Sequence, residues 1–441
     1  MKMLILTQPL HTNYGGLLQA YALQQILKGM GHDVVTDRLG VVRELPLWNR
    51  ALRFLYHAAQ FYILKNYRYY PYRYLFVSFD KESKAKRSIA VNTERFVNTH
   101  IDTIDLLTRN NEHVIDAVRQ FDAIVVGSDQ VWRATMSDIP TYFLSFTKAM
   151  KMKRIAYAAS FGTDDLNEYS KMDMKIASES IKLFDAVSVR EKSGVRLCRD
   201  YFKMDAVHVL DPTMLLSKDD YLKLIESEDR PCSADMLLTY VLDRAPEKNE
   251  IINKIGNALH LTPYENGPVK YFSNIVENNV PECVFPSVSG WLAGFRDAQF
   301  VVTDSFHGTV FSIIFNKPFV AILNSERGAS RFISLLCILG LENRLISTVG
   351  EVSEEHLRPI DYTEVNKILN EWKLKSITEP PTLLSQFESP PRTGDPHTSN
   401  GLGKLFFPPV YALSIFLRRI ETNCVYFSIP SIYFSMNGKS L

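Results

Sequence analysis

The segment Val302-Thr303-Asp304-Ser305-Phe306-His307-Gly308-Thr309-Val310-Phe311-Ser312 constrains this chain more than any other, because a short apolar run breaks into small polar residues and at once becomes helical. Phe300 to Val302 reads as a buried strand, Asp304 or Ser305 as an N-cap, and Val310, Phe311, Ile313, Ile314 and Phe315 as the buried helix that follows. The first turn of such a helix leaves backbone N–H groups unpaired and carries positive potential, so it is a natural seat for phosphate or carboxylate. His307 lies in that turn, and an imidazole beside bound anions is a candidate proton carrier. The plainer alternative makes Asp304 a cap and His307 a core histidine holding a backbone carbonyl. Lys317 to Ile322 then returns as a strand, and the loop Asn324 to Phe332 carries Arg327 and Arg331 to the sheet edge where ligands bind in open α/β folds.

The rest of the chain alternates in the same way. Met3 to Thr7 reads as a strand, Leu17 to Lys28 as a helix stopped by Gly29-Met30-Gly31, and Asp33 to Thr36 as the next strand. Asp122 to Val126, Arg154 to Ala159 and Asp185 to Val189 are further short apolar runs that end in small or charged residues, as parallel strands do at a ligand edge. A second series comprises Ala206 to Leu210, Met236 to Val241, Phe300 to Val302 and Phe319 to Leu323. With 441 residues, too many for one core, this predicts two α/β domains, 1–200 and 201–375. Residues 376–441, with Pro380-Pro381 and Pro390-Pro391, read as a linker and an apolar tail. Residues 44–87 form a basic, aromatic insertion suited to packing over the first sheet, to sugars, or to a membrane surface bearing anionic groups.

Composition narrows the function classes. Lys+Arg of 50 against Asp+Glu of 49 leaves a formal net charge of +1, which argues against a nucleic-acid binder and makes any anion site local. The five cysteines are scattered without a CxxC pair, so neither a disulfide framework nor a zinc site is expected, and no metal is assigned. There is no GxxxxGK[ST] phosphate loop, GxGxxG fingerprint or HExxH pair. Met3-Leu4-Ile5-Leu6 is too short for a signal peptide, and Leu405 to Leu417 falls short of the roughly 18 apolar residues of a membrane span. The expected location is cytoplasmic, with a peripheral contact at the inner face of the membrane open to the insertion and the tail.

Three further motifs accompany the histidine turn in order: Asn13-Tyr14-Gly15-Gly16-Leu17-Leu18-Gln19, Val126-Gly127-Ser128-Asp129-Gln130-Val131-Trp132 and Val187-Ser188-Val189-Arg190-Glu191. The set resembles the polysaccharide pyruvyl transferase family over roughly residues 1 to 375. The resemblance implies two Rossmann-like domains facing each other, as in the glycosyltransferases called GT-B, and transfer of a pyruvyl group from phosphoenolpyruvate to a saccharide as a cyclic ketal. It also implies a cation at the Ser-Val-Arg-Glu turn, a histidine in the strand-to-helix turn and a basic residue in the loop beyond, which correspond to Arg190, His307 and Arg327, with Arg331 a competitor for the third role.

The reaction so implied needs no cofactor beyond the donor. It needs a proton carrier for the donor methylene, His307, and cations for phosphate and carboxylate, Arg190 with Arg327 or Arg331. Ser305 and Asp304 line the donor side. Asp129 would orient or deprotonate a sugar hydroxyl, and Asn13, Tyr14, Gly15, Gly16, Ser128 and Trp132 would meet the acceptor, a saccharide that a lipid could carry. Competing readings pair Arg190 with Glu191 or a neighbouring carboxylate, leave Arg327 a solvated loop charge, pack Trp132 in the core and make Asp129 a cap. The rival functions are a metal-independent glycosyltransferase using a sugar nucleotide, and a non-catalytic saccharide-binding subunit.

Overall fold

The computed structural model describes residues 1–38, 79–106, 111–226, 235–272, 279–324 and 328–378. They form two wholly parallel sheets. The first contains β1 (Lys2–Leu6), β2 (Asp33–Asp37), β3 (Thr103–Ile104), β4 (Ala123–Val126), β5 (Lys153–Ala159), β6 (Ala186–Val189) and β7 (Val207–His208), in the order β3-β2-β1-β4-β5-β6-β7. The second contains β8 (Met236–Tyr240), β9 (Thr262–Glu265), β10 (Phe300–Thr303), β11 (Phe319–Ile322) and β12 (Leu345–Ile346), in the order β12-β11-β10-β8-β9. The central strands β4, β6, β8, β10 and β11 are buried at every position, which is why they read as mostly apolar runs rather than alternating ones. The expected pair of facing α/β domains is therefore what the chain forms.

Each sheet reverses its strand order at one place. In the first the reversal lies between β1 and β4, in the second between β8 and β10. At such a point the connections leave in opposite directions and open a crevice beyond the carboxyl ends of the strands. Asn13 follows β1, Asp129 follows β4 and His307 follows β10, so all three occupy switch points.

The division of the chain differs from the one expected. Val207–His208 belongs to the first sheet, with Ser188 opposite Val207 and Val189 opposite His208, so that sheet extends past residue 200. The reason is local: helix α2 (Lys192–Phe202) follows β6 directly, and a crossover helix returns the chain to a parallel position beside the strand it left. The last described helix, α6 (Tyr362–Thr378), then comes back to the first sheet: the Leu210 amide donates to Ser376 Oγ at 2.9 Å, Lys373 Nζ donates to the Leu216 carbonyl at 2.9 Å, and Trp372 meets the His208 ring edge-on.

An aromatic cluster joins the halves. Tyr14, first residue of helix α1 (Tyr14–Gly29), stacks on Trp291 of helix α3 (Val288–Asp297) with ring centroids 5.1 Å apart. Trp291 in turn meets Phe311 of helix α4 (Phe306–Ile314) edge-on at 5.1 Å. Such pairs are each worth about 0.5–1.5 kcal/mol beyond the area they bury. Among the described residues no helix is long and apolar enough to cross a membrane. The tail from 379 and the aromatic stretch 44–78 lie outside the described residues.

Candidate functional site

His307 is the second residue of α4. Ser305 is the N-cap, its Oγ accepting from the Gly308 amide at 3.3 Å, so the cap role falls to Ser305 rather than Asp304. Gly308 is required here, because a Cβ on it would lie 2.1 Å from Thr303 Oγ1. With that turn packed against β10, the imidazole projects away from its own sheet and is 6% exposed. It meets the first turn of α1 at Gly15.

Beneath it lies a buried ion cluster. Arg190 leaves the end of β6 with its side chain wholly buried, and its Nη2 donates to Asp129 Oδ1 at 3.0 Å. Its Nη1 donates to Asp211 Oδ2 at 2.7 Å and to Ser128 Oγ at 3.3 Å. Of the competing pairings for Arg190, the neighbouring carboxylates hold it and Glu191 does not, since Glu191 turns toward the Phe161 amide, from which it accepts at 2.7 Å. Burial drives Glu191 above the usual carboxylate range.

Asp211 follows β7 and is fixed by both oxygens. Oδ1 accepts from the Thr213 amide and hydroxyl at 3.0 and 2.6 Å. Oδ2 accepts from Arg190 and from Ser128 Oγ at 2.7 Å, and stands 3.7 Å from His307 Nε2. Burial opposes its charge, but His307, Arg190 and Thr213 hold the carboxyl well below the usual range. Asp129 is likewise held down against full burial by Arg190, His307 and Arg331. Its backbone is left-handed, with φ +73°, a conformation that costs a non-glycine residue energy and that the Gln130 amide, Asn13 amide and Arg190 contacts maintain.

Phe306 sits between two guanidiniums. Arg190 Cζ is 4.7 Å from its ring centroid and Arg331 Cζ 5.5 Å. Arg331, on helix α5 (Ser330–Leu339), is buried, and burial together with the Arg190 charge pushes it down to about 9. Two cations on one phenyl ring next to a histidine form a cationic wall, and each gains from the ring quadrupole.

Other residues named from the sequence take different places. Trp132 has no exposed surface: it stacks on Phe143 at 4.8 Å and donates from Nε1 to the Tyr142 carbonyl, so it offers no face to a sugar ring. Tyr14 is equally buried, its hydroxyl donating to the Pro286 carbonyl at 2.8 Å, and it serves the contact between the halves. Asp304 points back into its own half, accepting from the Leu242 and Asp243 amides and pairing with Lys248 Nζ at 2.6 Å. It braces the turn rather than facing a donor. Ser128 is buried and given over to Asp211, and Gly16 is buried against Asn13. Asn13 is exposed and reaches Asp129 Oδ2 at 3.2 Å. Arg327 lies outside the described residues. Among the described residues no group of three or more His, Cys, Asp or Glu could hold a metal.

Asp211 was not singled out from the sequence. It had a legible signal, since Leu210-Asp211-Pro212-Thr213 places a carboxylate directly after an apolar run, as Val126 to Asp129 and Val302 to Asp304 do. The run before it, Ala206 to Leu210, reads with the second series, whereas in the fold its strand pairs with β6 and Asp211 faces Arg190.

The family model described as Polysaccharide pyruvyl transferase matches residues 13–326, most of the chain and all of the cluster except Arg331. The chain belongs to the polysaccharide pyruvyl transferase family. As a member of it, the protein is an enzyme of this type. No curated protein matches it in sequence. Among solved structures it is similar to UDP-GlcNAc 2-epimerase of Methanocaldococcus jannaschii (10% identity, 85% of this chain and 100% of that one, TM-score 0.44). It is also similar to UDP-GlcNAc 2-epimerase of Neisseria meningitidis (10%, 85% and 94%, TM-score 0.43) and to O-GlcNAc transferase of Thermobaculum terrenum (11%, 97% and 68%, TM-score 0.40). These likenesses are distant and carry nothing over to the site.

Proposed function

We propose that this polysaccharide pyruvyl transferase takes its pyruvyl group from phosphoenolpyruvate and places it on two hydroxyls of a saccharide as a cyclic ketal, releasing phosphate. The observation that carries this reading is the placement of His307 at the first turn of α4, against Gly15 and 3.7 Å from Asp211, with Arg190 and Arg331 on Phe306 beside it. With Asp129 and Asp211 held ionised against the two guanidiniums, a protonated His307 leaves the centre with net positive charge, which suits an anionic donor.

The chemistry follows from that arrangement. His307 delivers a proton to the donor methylene, and the adjacent carbon becomes electrophilic. A sugar hydroxyl attacks it, the carbon–oxygen bond to phosphate breaks, and a second hydroxyl closes the ketal; of the two hydroxyl protons released, one leaves with phosphate and the other passes to solvent, which recharges the acid. Arg331 and the α4 amides offset the charge of phosphate and carboxylate. Arg190, with its fork already taken by Asp129 and Asp211, acts from behind by holding the loops after β4 and β7 together. Asp129, linked to Asn13 at the mouth, is the group placed to orient an acceptor hydroxyl. Because His307 and Gly15 are in contact, the halves part to admit substrates, and the donor reacts between the His307 ring and the first turn of α1. No cofactor is needed in this scheme. The acceptor belongs to cell-surface polysaccharide synthesis and can be lipid-linked, with the enzyme on the cytoplasmic side of the membrane.

The deciding experiment is turnover in deuterated water with phosphoenolpyruvate and candidate saccharides. This reading expects inorganic phosphate and one deuterium in the methyl group of the product ketal. A product that has gained a sugar, with nucleotide released from a sugar nucleotide and no labelled methyl, would establish a glycosyltransferase instead.

A further inference from the structure

We infer that Asp211 is the positioning residue for His307, holding the imidazole with Nε2–H toward Asp211 so that Nδ1, on the Gly15 side, is the nitrogen that hands over the proton. The inference rests on His307 being the proton donor of the reaction proposed above, and it adds the atom, the tautomer and the residue that sets them.

The geometry comes from both halves of the molecule. Asp211 is anchored in the first half: Thr213 occupies Oδ1 with two donors, and Ser128 and Arg190 fix Oδ2. His307 Nε2 comes from the second half, is buried, has no hydrogen-bond partner among the described residues, and stands 3.7 Å from Asp211 Oδ2. That is ion-pair distance, and a shift of the ring by roughly 0.5–1 Å away from Gly15 toward Asp211 brings it within hydrogen-bond range. Catalytic hydrogen bonds commonly tighten in this way when substrate binds. The opposite edge of the ring meets α1, where Nδ1 is the ring atom nearest the position of a Cβ on Gly15. Asn13, the N-cap residue of α1, donates its side-chain amide to Asp129 and makes no cap bond, so the first-turn amides of α1 border the Nδ1 side without a side-chain cap. Charged groups around the ring are Asp211 after β7, Asp129 after β4, Arg190 at the end of β6 and Arg331 on α5. Of the carboxylates, Asp211 is the one placed against a ring nitrogen. When Nδ1 gives up its proton, the neutral ring that remains carries its hydrogen on Nε2, facing a carboxylate that accepts it. Reprotonation from solvent at Nδ1 then restores the acid.

The test is the tautomer itself, read from nitrogen-15 chemical shifts of histidine-labelled full-length protein, with the His307 signals identified by their loss in His307→Gln. The expected result, read where the wild-type ring is in its neutral form, is a proton on Nε2, and in Asp211→Asn a neutral ring whose tautomers are mixed or reversed. Turnover in Asp211→Asn is expected to fall on the order of 100-fold or more, the consequence of a misdirected imidazole. A wild-type His307 protonated at Nδ1 in its neutral form would overturn the inference, and this reading needs no variant to fold. An Asp211→Asn protein that folds and keeps the wild-type tautomer would also overturn it. If the wild-type protein shows the Nε2–H tautomer but never releases phosphate from phosphoenolpyruvate, the reaction assignment fails while the Asp211–His307 pairing stands.

Discussion

Gly15 and His307 meet across the two halves so closely that a Cβ built on Gly15 would lie 1.9 Å from the imidazole Nδ1. Gly15 is inside a helix, where alanine normally stabilises by roughly 0.5–1 kcal/mol. Here the sign reverses. Gly15→Ala is expected to lower the thermal midpoint and to cut turnover by about 100-fold, the penalty typical of a reacting group displaced by about 1 Å. Removing the ring should restore the usual sign: in a His307→Ala background, Gly15→Ala should raise the midpoint. A Gly15→Ala protein with wild-type turnover would show that the contact is not part of the working state.

His307→Gln is expected to reduce phosphate release by about 100 to 10,000-fold, the range of a lost general acid. Its melting transition should change far less than its activity, because Asp211 keeps its contacts to Arg190, Ser128 and Thr213 when the imidazole is gone. Steady-state assays and calorimetric melts on the same preparation separate the two effects. A large drop in midpoint with activity retained would return His307 to the role of a core histidine.

Arg190→Lys tests the ion cluster. Lysine keeps the charge but cannot bridge Asp129 and Asp211 with a planar fork, so a loss of about 1–3 kcal/mol is expected in urea unfolding, along with weaker phosphoenolpyruvate binding by calorimetry. An unchanged urea midpoint would mean that the two carboxylates are held by other contacts.

Acid should loosen the protein in two stages. His208 donates from Nε2 to the Arg190 carbonyl at 3.2 Å and is pushed down to about 4 by burial. Its folded value is below the unfolded one of about 6.5, so its contribution is complete above that pH and is lost as pH falls toward 4. Asp129 and Asp211, both held below the usual carboxylate range of about 3.9, hold their contribution to lower pH and lose it only in strong acid. Thermal melts from pH 7 to pH 5 should show a falling midpoint, shallower in His208→Gln. A flat profile in the wild type would discount the buried histidine.

The end of the fold can be located by truncation. A chain ending at Thr378 keeps all of α6 and should melt cooperatively like the full chain. One ending at Lys375 loses Ser376, whose Oγ accepts from the buried Leu210 amide next to Asp211, and should be less stable by about 1–3 kcal/mol, the cost of a buried donor left unmet. Equal midpoints for the two truncations would show that water takes over from Ser376.

The sequence by itself determined the α/β class, the central strands, the helix that opens at Ser305 and the histidine within it. These depend on local apolar runs, turn residues and caps, which act within a few residues. It also ordered the motifs well enough to expect the family. Short edge strands such as β3 and β12, two residues each, and β9, which is largely exposed and contains Pro263, left no pattern to read. Only the tertiary structure decided which residues serve the cluster. Trp132, Tyr14 and Asp304 follow strands as Asp129 and His307 do, and nothing local says which way each side chain turns. That choice was made by packing: a buried indole found Phe143, a buried phenol found Trp291, and the Asp304 carboxylate found Lys248. Asp211 became the partner of Arg190 and the neighbour of His307 because β7 closes the first sheet and the second half docks over it, contacts that span 21 and 96 residues of chain. A bare carboxylate or guanidinium is too costly to bury alone, so once these loops were brought together the charges had to pair, and only the fold could say with which partners.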